Sequence, residues 1–455
     1  MNTADAHYIK MTKTPVSKLI VILGIPTTIS MLVTSIYNMA DTYFVGMLGK
    51  SEQGATGILF TLQCIIQAFA FMLGHGSGVF VAKALAEKNK EEASKYISTA
   101  FFVGAIFGVF LMLIGLMILE PLMLLLGSTD TILPYAKDYG LWVLIACPFM
   151  ICSLVLNNNL RYEGKAIYAM VGLVTGALLN IFGDWLFICV MDLSVFGAGM
   201  STAISQIISF VILLVLYIKM AQSKISIKKM GTKFVIYWSI IKVGFPSFIR
   251  QGLTSISNAL LNNLAKPFGD AALAAISVIN RFSNFILCVG LGMGQGFQPV
   301  ASFNYQAKEY TRVKKGLVFT ICFSAIIVFC FSIFGIIIPG GIVWLFQRSN
   351  DVIEIGSFGL RIASIGVLFL PISVTANMLF QSVRKAGIAS ILALLRSGLI
   401  FIPTLLICGN VWGLNGILIS QPIADILSGL ISVPFILYFI FRTPNTLESE
   451  ENVEN

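Results

Sequence analysis

The chain is written twice. At a constant offset of 220 residues, Gly24 and Gly244, Pro26 and Pro246, Ile29 and Ile249, Thr34 and Thr254, and Asn38 and Asn258 coincide. So do Gly49 and Gly269, Gly74 and Gly294, Gly76 and Gly296, Lys88 and Lys308, and Lys165 and Lys385. Apolar composition alone does not produce an ungapped register over such a distance. The register breaks late in each half, where Ser205-Gln206 matches Ser420-Gln421 best. Whatever the first copy folds into, the second folds into again.

The apolar runs decide what that is. A helix crossing the hydrocarbon core needs about 20 residues, and runs of that order lie at 18–46, 54–85, 95–120, 133–158, 166–191 and 196–219. A second set follows at 234–264, 270–303, 315–340, 352–382, 386–409 and 413–441. Each copy therefore holds six spans, an even number, so the second enters the membrane from the same side as the first. Such parallel repeats are related by an axis along the membrane normal. The expected fold is an all-α integral membrane protein of twelve transmembrane helices, an N-lobe at 18–219 and a C-lobe at 234–441, around a central cleft. A cytoplasmic head (1–17), a basic connector (220–233) and an acidic tail (442–455) complete it, with the head around His7 and the tail expected to be disordered. Two lobes that rock about a cleft suit alternating access better than a fixed pore. Pro26 and Pro246, each inside the first helix of its lobe, remove a backbone hydrogen bond; they are either ordinary membrane-helix prolines or matched hinges.

Composition agrees with this reading. Of 455 residues, 57% are hydrophobic and 11% charged, against about 25% charged in a soluble domain. The first run has full length and no small-residue cleavage site, so it is expected to stay as a helix. The net charge of +9 could suggest nucleic acid, but its distribution excludes that. With the amino terminus in the cytoplasm, Lys and Arg crowd the head, the connector and the loops on one side, while only Lys50, Lys137, Lys266 and Arg348 fall on the other. This is the positive-inside pattern. It predicts a multi-pass cell-membrane protein with both termini cytoplasmic. The eight cysteines lie inside spans without metal spacing and are read as buried packing. No nucleophile–base set or metal cluster points to an enzyme, and no cofactor is expected.

Ionisable groups within spans are costly and need a reason. The N-lobe holds Asp41 and Asp184, with His75, and no Lys or Arg inside its spans neutralises the acids. Counting helix rise from the span ends puts Asp41, Asp184, Thr202 and Tyr139 at one level in the outer half. Asn180 stands one turn from Asp184, and Tyr37 one turn from Asp41. Two carboxylates in a low-dielectric pocket cannot both ionise cheaply and should titrate as a unit. They can take up a proton, or hold Na+ with Asn180 and Thr202 oxygens; the bland alternative is that hydroxyls and amides cap each acid and fix helix packing. In the C-lobe, Arg250, Arg281 and Asp425 fall near mid-depth, so Asp425 is expected to pair with one of those arginines or to line the cavity with them. His75, in "LGHGSG", is either a packing residue or a proton relay. Asn157, Asn158 and Asn159 either line an inner vestibule or cap their helix.

With these residues in hand, the chain resembles the multidrug and toxic compound extrusion (MATE) transporters, and most of all their bacterial DinF- and MepA-like branch. The resemblance rests on the six-plus-six repeat, "GIP" matched by "GFP", "NMADTYFVG" with Asp41, "LLNIFGDWLF" with Asn180 and Asp184, and "GAGMSTAISQ" with Thr202. It implies an antiporter that takes in H+ or Na+ and expels amphipathic, often cationic, organic compounds, with ion binding at Asp41 changing the bend near Pro26. The implied partners are small organic substrates and membrane lipids, with a monomer as the default state. The alternative is a flippase for a lipid-linked or anionic precursor, to which the intramembrane arginines would answer.

Overall fold

The computed structural model of the protein describes residues 3–346 and 348–444; the acidic stretch 447–455 lies outside them. All regular structure among the described residues is helical, as lipid demands of a chain that must satisfy its own backbone groups. The helices of the first repeat are α2 (Val16–Gly46), α3 (Lys50–Ala86), α4 (Lys90–Met117), α6 (Leu133–Tyr162), α7 (Ala166–Asp184) and α8 (Ser194–Met220). Those of the second are α9 (Phe234–Ala265), α10 (Asp270–Gln306), α11 (Tyr310–Ile337), α13 with α14 (Asn350–Gly366 and Leu370–Ser382), and α15 with α16 (Ala386–Leu394 and Phe401–Arg442). By length and composition, ten helices among the described residues can cross a membrane. One of these, Ala386–Arg442, reverses at Gly413, whose φ of 56° no side chain favours, and so supplies two spans. The helix α9 is as long as the others, but Lys242, Arg250 and a run of Ser and Asn dilute it. The expected twelve spans are present.

The repeat is legible in backbone detail. Short helices that the apolar runs did not separate, α5 (Leu119–Leu125) and α12 (Pro339–Phe346), occupy matched places at the ends of α4 and α11. Left-handed residues end four helices in two matched pairs, Lys88 with Lys308 and Gly164 with Arg384. At each, the next backbone N–H reaches back to a carbonyl five residues earlier, as Asn89 N to Ala84 O and Lys385 N to Phe380 O, both 2.8 Å; this closes the free carbonyls of the helix end. The side chain of Asn157 donates to Ala169 O at 2.8 Å, and that of Asn377 to Ala389 O at 2.6 Å. Asn159 binds Ser77 Oγ, and all three consecutive asparagines are buried. They tie helices together.

By packing, the chain forms two units that do not coincide with the sequence repeats. The first comprises Met1–Tyr8 and Ile29–Gln251; the second comprises Ile9–Thr28 and Gly252–Asn455. The early parts of α2 and α9 are thus exchanged, and each switch falls within a few residues of Pro26 or Pro246. Glycines cause it. In the first unit a Cβ on Gly76 would overlap the carbonyl of Ile240, and one on Gly244 that of Met72, so α3 and α9 meet backbone to backbone. In the second unit a Cβ on Gly296 would overlap the backbone of Gly24, and one on Gly292 that of Thr28. Small residues are what allow helices to approach so closely in lipid.

Two expectations need correction. The head is not disordered: α1 (Thr3–Lys13) is helical, with His7 buried and its Nε2 3.0 Å from the carbonyl oxygen of Glu163. The connector is tied to α4, where Ser94 Oγ accepts from Lys224 N at 2.9 Å and Thr99 Oγ1 from Gly231 N at 2.9 Å. Of the cysteines, Cys189, Cys322 and Cys330 are exposed on outer helix faces; an intramembrane position does not decide which face a residue takes.

Candidate functional site

The site lies within the first unit. Its side chains come from four helices that lack strong amphipathicity because lipid and protein both present apolar surroundings, so the polar residues mark the buried faces. Tyr139, Asn180, Asp184 and Thr202 are at most 3% exposed, and Tyr37 is 8% exposed.

The hydrogen bonds form a chain with a direction. Asn180 Nδ2 donates to Thr202 Oγ1 at 3.2 Å and to Ser201 Oγ at 3.3 Å, while Ser201 returns its proton to Asn180 O at 2.9 Å. The Thr202 hydroxyl and the Tyr139 hydroxyl are 3.1 Å apart, and Tyr139 donates to Asp41 Oδ2 at 2.9 Å. Because Tyr139 spends its only proton on Asp41, Thr202 donates to Tyr139. Along the line from Asn180 through Thr202 and Tyr139 each group donates toward Asp41, whose Oδ2 accepts. Asn180, at the far end of this line, stands one turn before Asp184 on α7, so the relay links the carboxyl of Asp41 on α2 to the helix turn that carries Asp184.

Four oxygens remain over. Asp41 Oδ1, both carboxyl oxygens of Asp184 and Asn180 Oδ1 are buried without a hydrogen-bond partner among the described residues. Ser201 stands beside Asp184 as well, but its hydroxyl proton is turned to the Asn180 carbonyl. Buried polar atoms are normally satisfied; acceptors left empty in one pocket call for a proton or a hard cation. No cluster of three His, Cys, Asp or Glu suited to a transition metal occurs among the described residues. The donor set, all oxygen, fits Na+ or H+ instead.

The other residues singled out from sequence lie elsewhere. His75 is fully buried, with Nδ1 2.8 Å from Ser247 Oγ and its ring stacked on Phe71. That contact joins α3 to α9 at the glycine crossing, away from the hydrogen-bonded chain of Asp41. Pro26 and Pro246 sit inside unbroken helices. The expected partner of Asp425 is overturned: it pairs with Arg396, Nε to Oδ1 at 2.7 Å, and Gln421 Nε2 donates to the same oxygen at 2.9 Å. Depth along a helix does not fix azimuth. Arg396 stands in a π-turn, Leu395–Leu399, whose extra residue per turn swings it inward. Arg250 belongs to the first packing unit, and Arg281 and Arg361 are exposed.

Two contributors escaped sequence reasoning. Ser201 was hidden beside Thr202, although adjacent hydroxyls one turn of α8 from Ser205 could have marked a polar face. Glu163, in the turn "RYEGK", was hidden among basic residues, yet it is fully buried. Its carboxylate accepts from Gln222 N, Ser223 N, Ser223 Oγ and Tyr217 Oη, pinning the connector to the end of α8.

Comparisons with known proteins bear on this arrangement. The family model MatE matches residues 26–186 and again 246–407, its two matches beginning at Pro26 and Pro246. The chain is 24% identical to the multidrug export protein MepA of Staphylococcus saprophyticus over 97% of its own length and 98% of that protein. For MepA of Staphylococcus aureus strain MSSA476 the identity is 25%, with the same coverage. Among solved structures, a MATE protein in complex with MaL6 superposes with a TM-score of 0.89 at 24% identity, over 96% of this chain and 98% of that one. An outward-facing multidrug resistance MATE family transporter of the MOP superfamily gives 0.88 at 23%, over 96% and 97%. At these identities the solved structures speak for the fold.

Proposed function

The chain belongs to the MatE family of membrane transporters, and from that premise we propose that it is a secondary active multidrug exporter driven by an inward flow of H+ or Na+. Its substrates on this reading are amphipathic, often cationic, organic compounds; the relatives in Staphylococcus are named multidrug export proteins. The observation that carries the reading is the set of buried oxygens left without partners on Asp41, Asp184 and Asn180. An arriving cation supplies the positive charge these acceptors lack. Asp41, held by Tyr139 on one oxygen, keeps the other turned to the ion; Asp184 shares the charge; Asn180 and Thr202 supply neutral oxygens in the case of Na+. With the pocket neutralised, the cost of enclosing two carboxylates falls, and α2 can shift about Pro26 between its two packing environments. Alternating access follows if the ion-bound and ion-free pockets favour opposite openings. One charge crossing 100 mV supplies about 2.3 kcal/mol, enough for a roughly fifty-fold gradient.

The test is efflux of a fluorescent organic cation from proteoliposomes with pH and sodium gradients imposed separately. Asp41→Asn and Asp184→Asn should each abolish gradient-driven export while the purified variants stay folded. Normal export by both would sink the proposal. The flippase reading keeps some support from Arg281 and Arg361, which are exposed and form no ion pair among the described residues; Arg396 no longer supports it, being neutralised by Asp425.

A further inference from the structure

At the basic end of the second unit a cavity of about 180 Å³ opens between helix ends. Tyr305 closes α10 and Tyr310 opens α11, their rings 5.3 Å apart edge to face. Lys385 enters from the turn between α14 and α15, and Tyr438 and Arg442 from the last turns of α16. The Lys385 ammonium lies 5.4 Å and the Arg442 guanidinium 5.3 Å from the centre of the Tyr438 ring, and Arg442 Nη1 donates to the Tyr438 hydroxyl at 2.7 Å. The rim is fixed by Lys314, whose Nζ donates to Thr443 O at 2.6 Å. Neither Lys385 nor Arg442 pairs with a carboxylate among the described residues.

The repeat shows what is missing. In the first unit, the corresponding corner joins the turn after α6 to the end of α8, and the chain supplies its own anion there, Glu163. At the offset of 220 that residue becomes Val383, while Lys165 keeps its counterpart in Lys385. The second copy has thus kept a cation and lost the carboxylate, and it has added Arg442 and three tyrosines. Beside Tyr438, α16 turns outward Leu430, Leu437 and Phe441, which are 52%, 44% and 82% exposed. These recur at seven and four residues and so share one face.

We propose that this cavity binds the phosphodiester headgroup of an anionic phospholipid, with an acyl chain lying along the Leu430–Leu437–Phe441 face of α16. Arg442 and Lys385 face the phosphate oxygens, and the tyrosine hydroxyls sit at headgroup level. The inner leaflet is implied by the reading that the basic side is cytoplasmic. The experiment is native mass spectrometry of the detergent-solubilised full-length protein, offered phosphatidylglycerol, phosphatidylcholine or inorganic phosphate. Wild type should retain phosphatidylglycerol in preference to phosphatidylcholine, and Lys385→Ala with Arg442→Ala should weaken retention by roughly fivefold for each cation removed. Lys385→Arg with Arg442→Lys should restore it. Equal retention of both lipids, an unchanged double variant, or complete displacement by an equal concentration of inorganic phosphate overturns the proposal. Retention that emerges only after residues 445–455 are deleted marks the acidic chain end as occupant and also overturns it. None of these outcomes touches the ion-coupling site, which is read separately by transport.

Discussion

A buried carboxylate is defined by its donors. Glu163 has four, and burial still pushes its carboxyl above the ordinary glutamate range, because desolvation outweighs the bonds from Ser223, Gln222 and Tyr217. The sign follows from linkage: between the ordinary value and the raised one, the unfolded chain has lost a proton that the folded protein keeps. Stability contributed at this position therefore falls as pH rises through that window. Glu163→Gln turns an amide toward donors that need an acceptor, so it should destabilise the protein by about 1–3 kcal/mol and flatten this pH dependence. Thermal unfolding of wild type and variant across the window checks both; a variant with unchanged melting temperature would mean the connector is not held here. Glu163 also shows how residue-scale inference fails. A carboxylate in a basic loop is indistinguishable in sequence from a solvated one, because its burial depends on Gln222 and Ser223, some 60 positions away. The acids inside spans were legible for the opposite reason, since lipid leaves an ionised group no solvated alternative.

Helix crossings carry the next scale. The pairs Gly76–Ile240 and Gly244–Met72 in the first unit, and Gly296–Gly24 and Gly292–Thr28 in the second, place backbone against backbone. Gly244→Ala adds a methyl group where a carbonyl stands, and backbone cannot rotate away as a side chain can. The variant should lose about 1–3 kcal/mol as an overpacked core does, seen as a lower melting temperature. Gly57→Ala, in the same α3 that α9 meets but with open space around its Cβ position, should be neutral or slightly stabilising. Equal behaviour of the two variants would remove the crossing as the reason the early part of α9 joins the first unit. Span positions were legible to within a few residues because length in lipid is set by the bilayer. The exchange of α2 and α9 between units was not, although the glycines responsible stood in the register, since a repeat records equivalence and not which surface packs on which. The partner of Asp425 was missed through a π-turn that adds one residue to a helical turn without any signature in apolar pattern.

For the molecule as a whole, the asymmetry of Lys and Arg makes a statement about orientation that contacts within either unit cannot replace. Within the first unit the basic turns at Lys88 and Lys165 end α3 and α6, whereas Lys137 and Glu120, paired at 2.7 Å, lie at the opposite end of α6; within the second, Lys308 and Lys385 follow the ends of α10 and α14. If positive charge governs insertion, the connector is cytoplasmic and the loop between α5 and α6 is external. Thr129 in that loop and Lys228 in the connector are both exposed. In intact cells, a membrane-impermeant thiol reagent should therefore label Thr129→Cys and spare Lys228→Cys, and permeabilisation should expose the second. Cys189, exposed near the end of its span, is replaced by serine in both variants so that it does not contribute background. The opposite pattern would invert the molecule and put the Asp41 pocket in the cytoplasmic half, so that the coupling ion would bind near the compartment it enters rather than the one it comes from; the direction of exchange, set by the ion gradient, would stay the same.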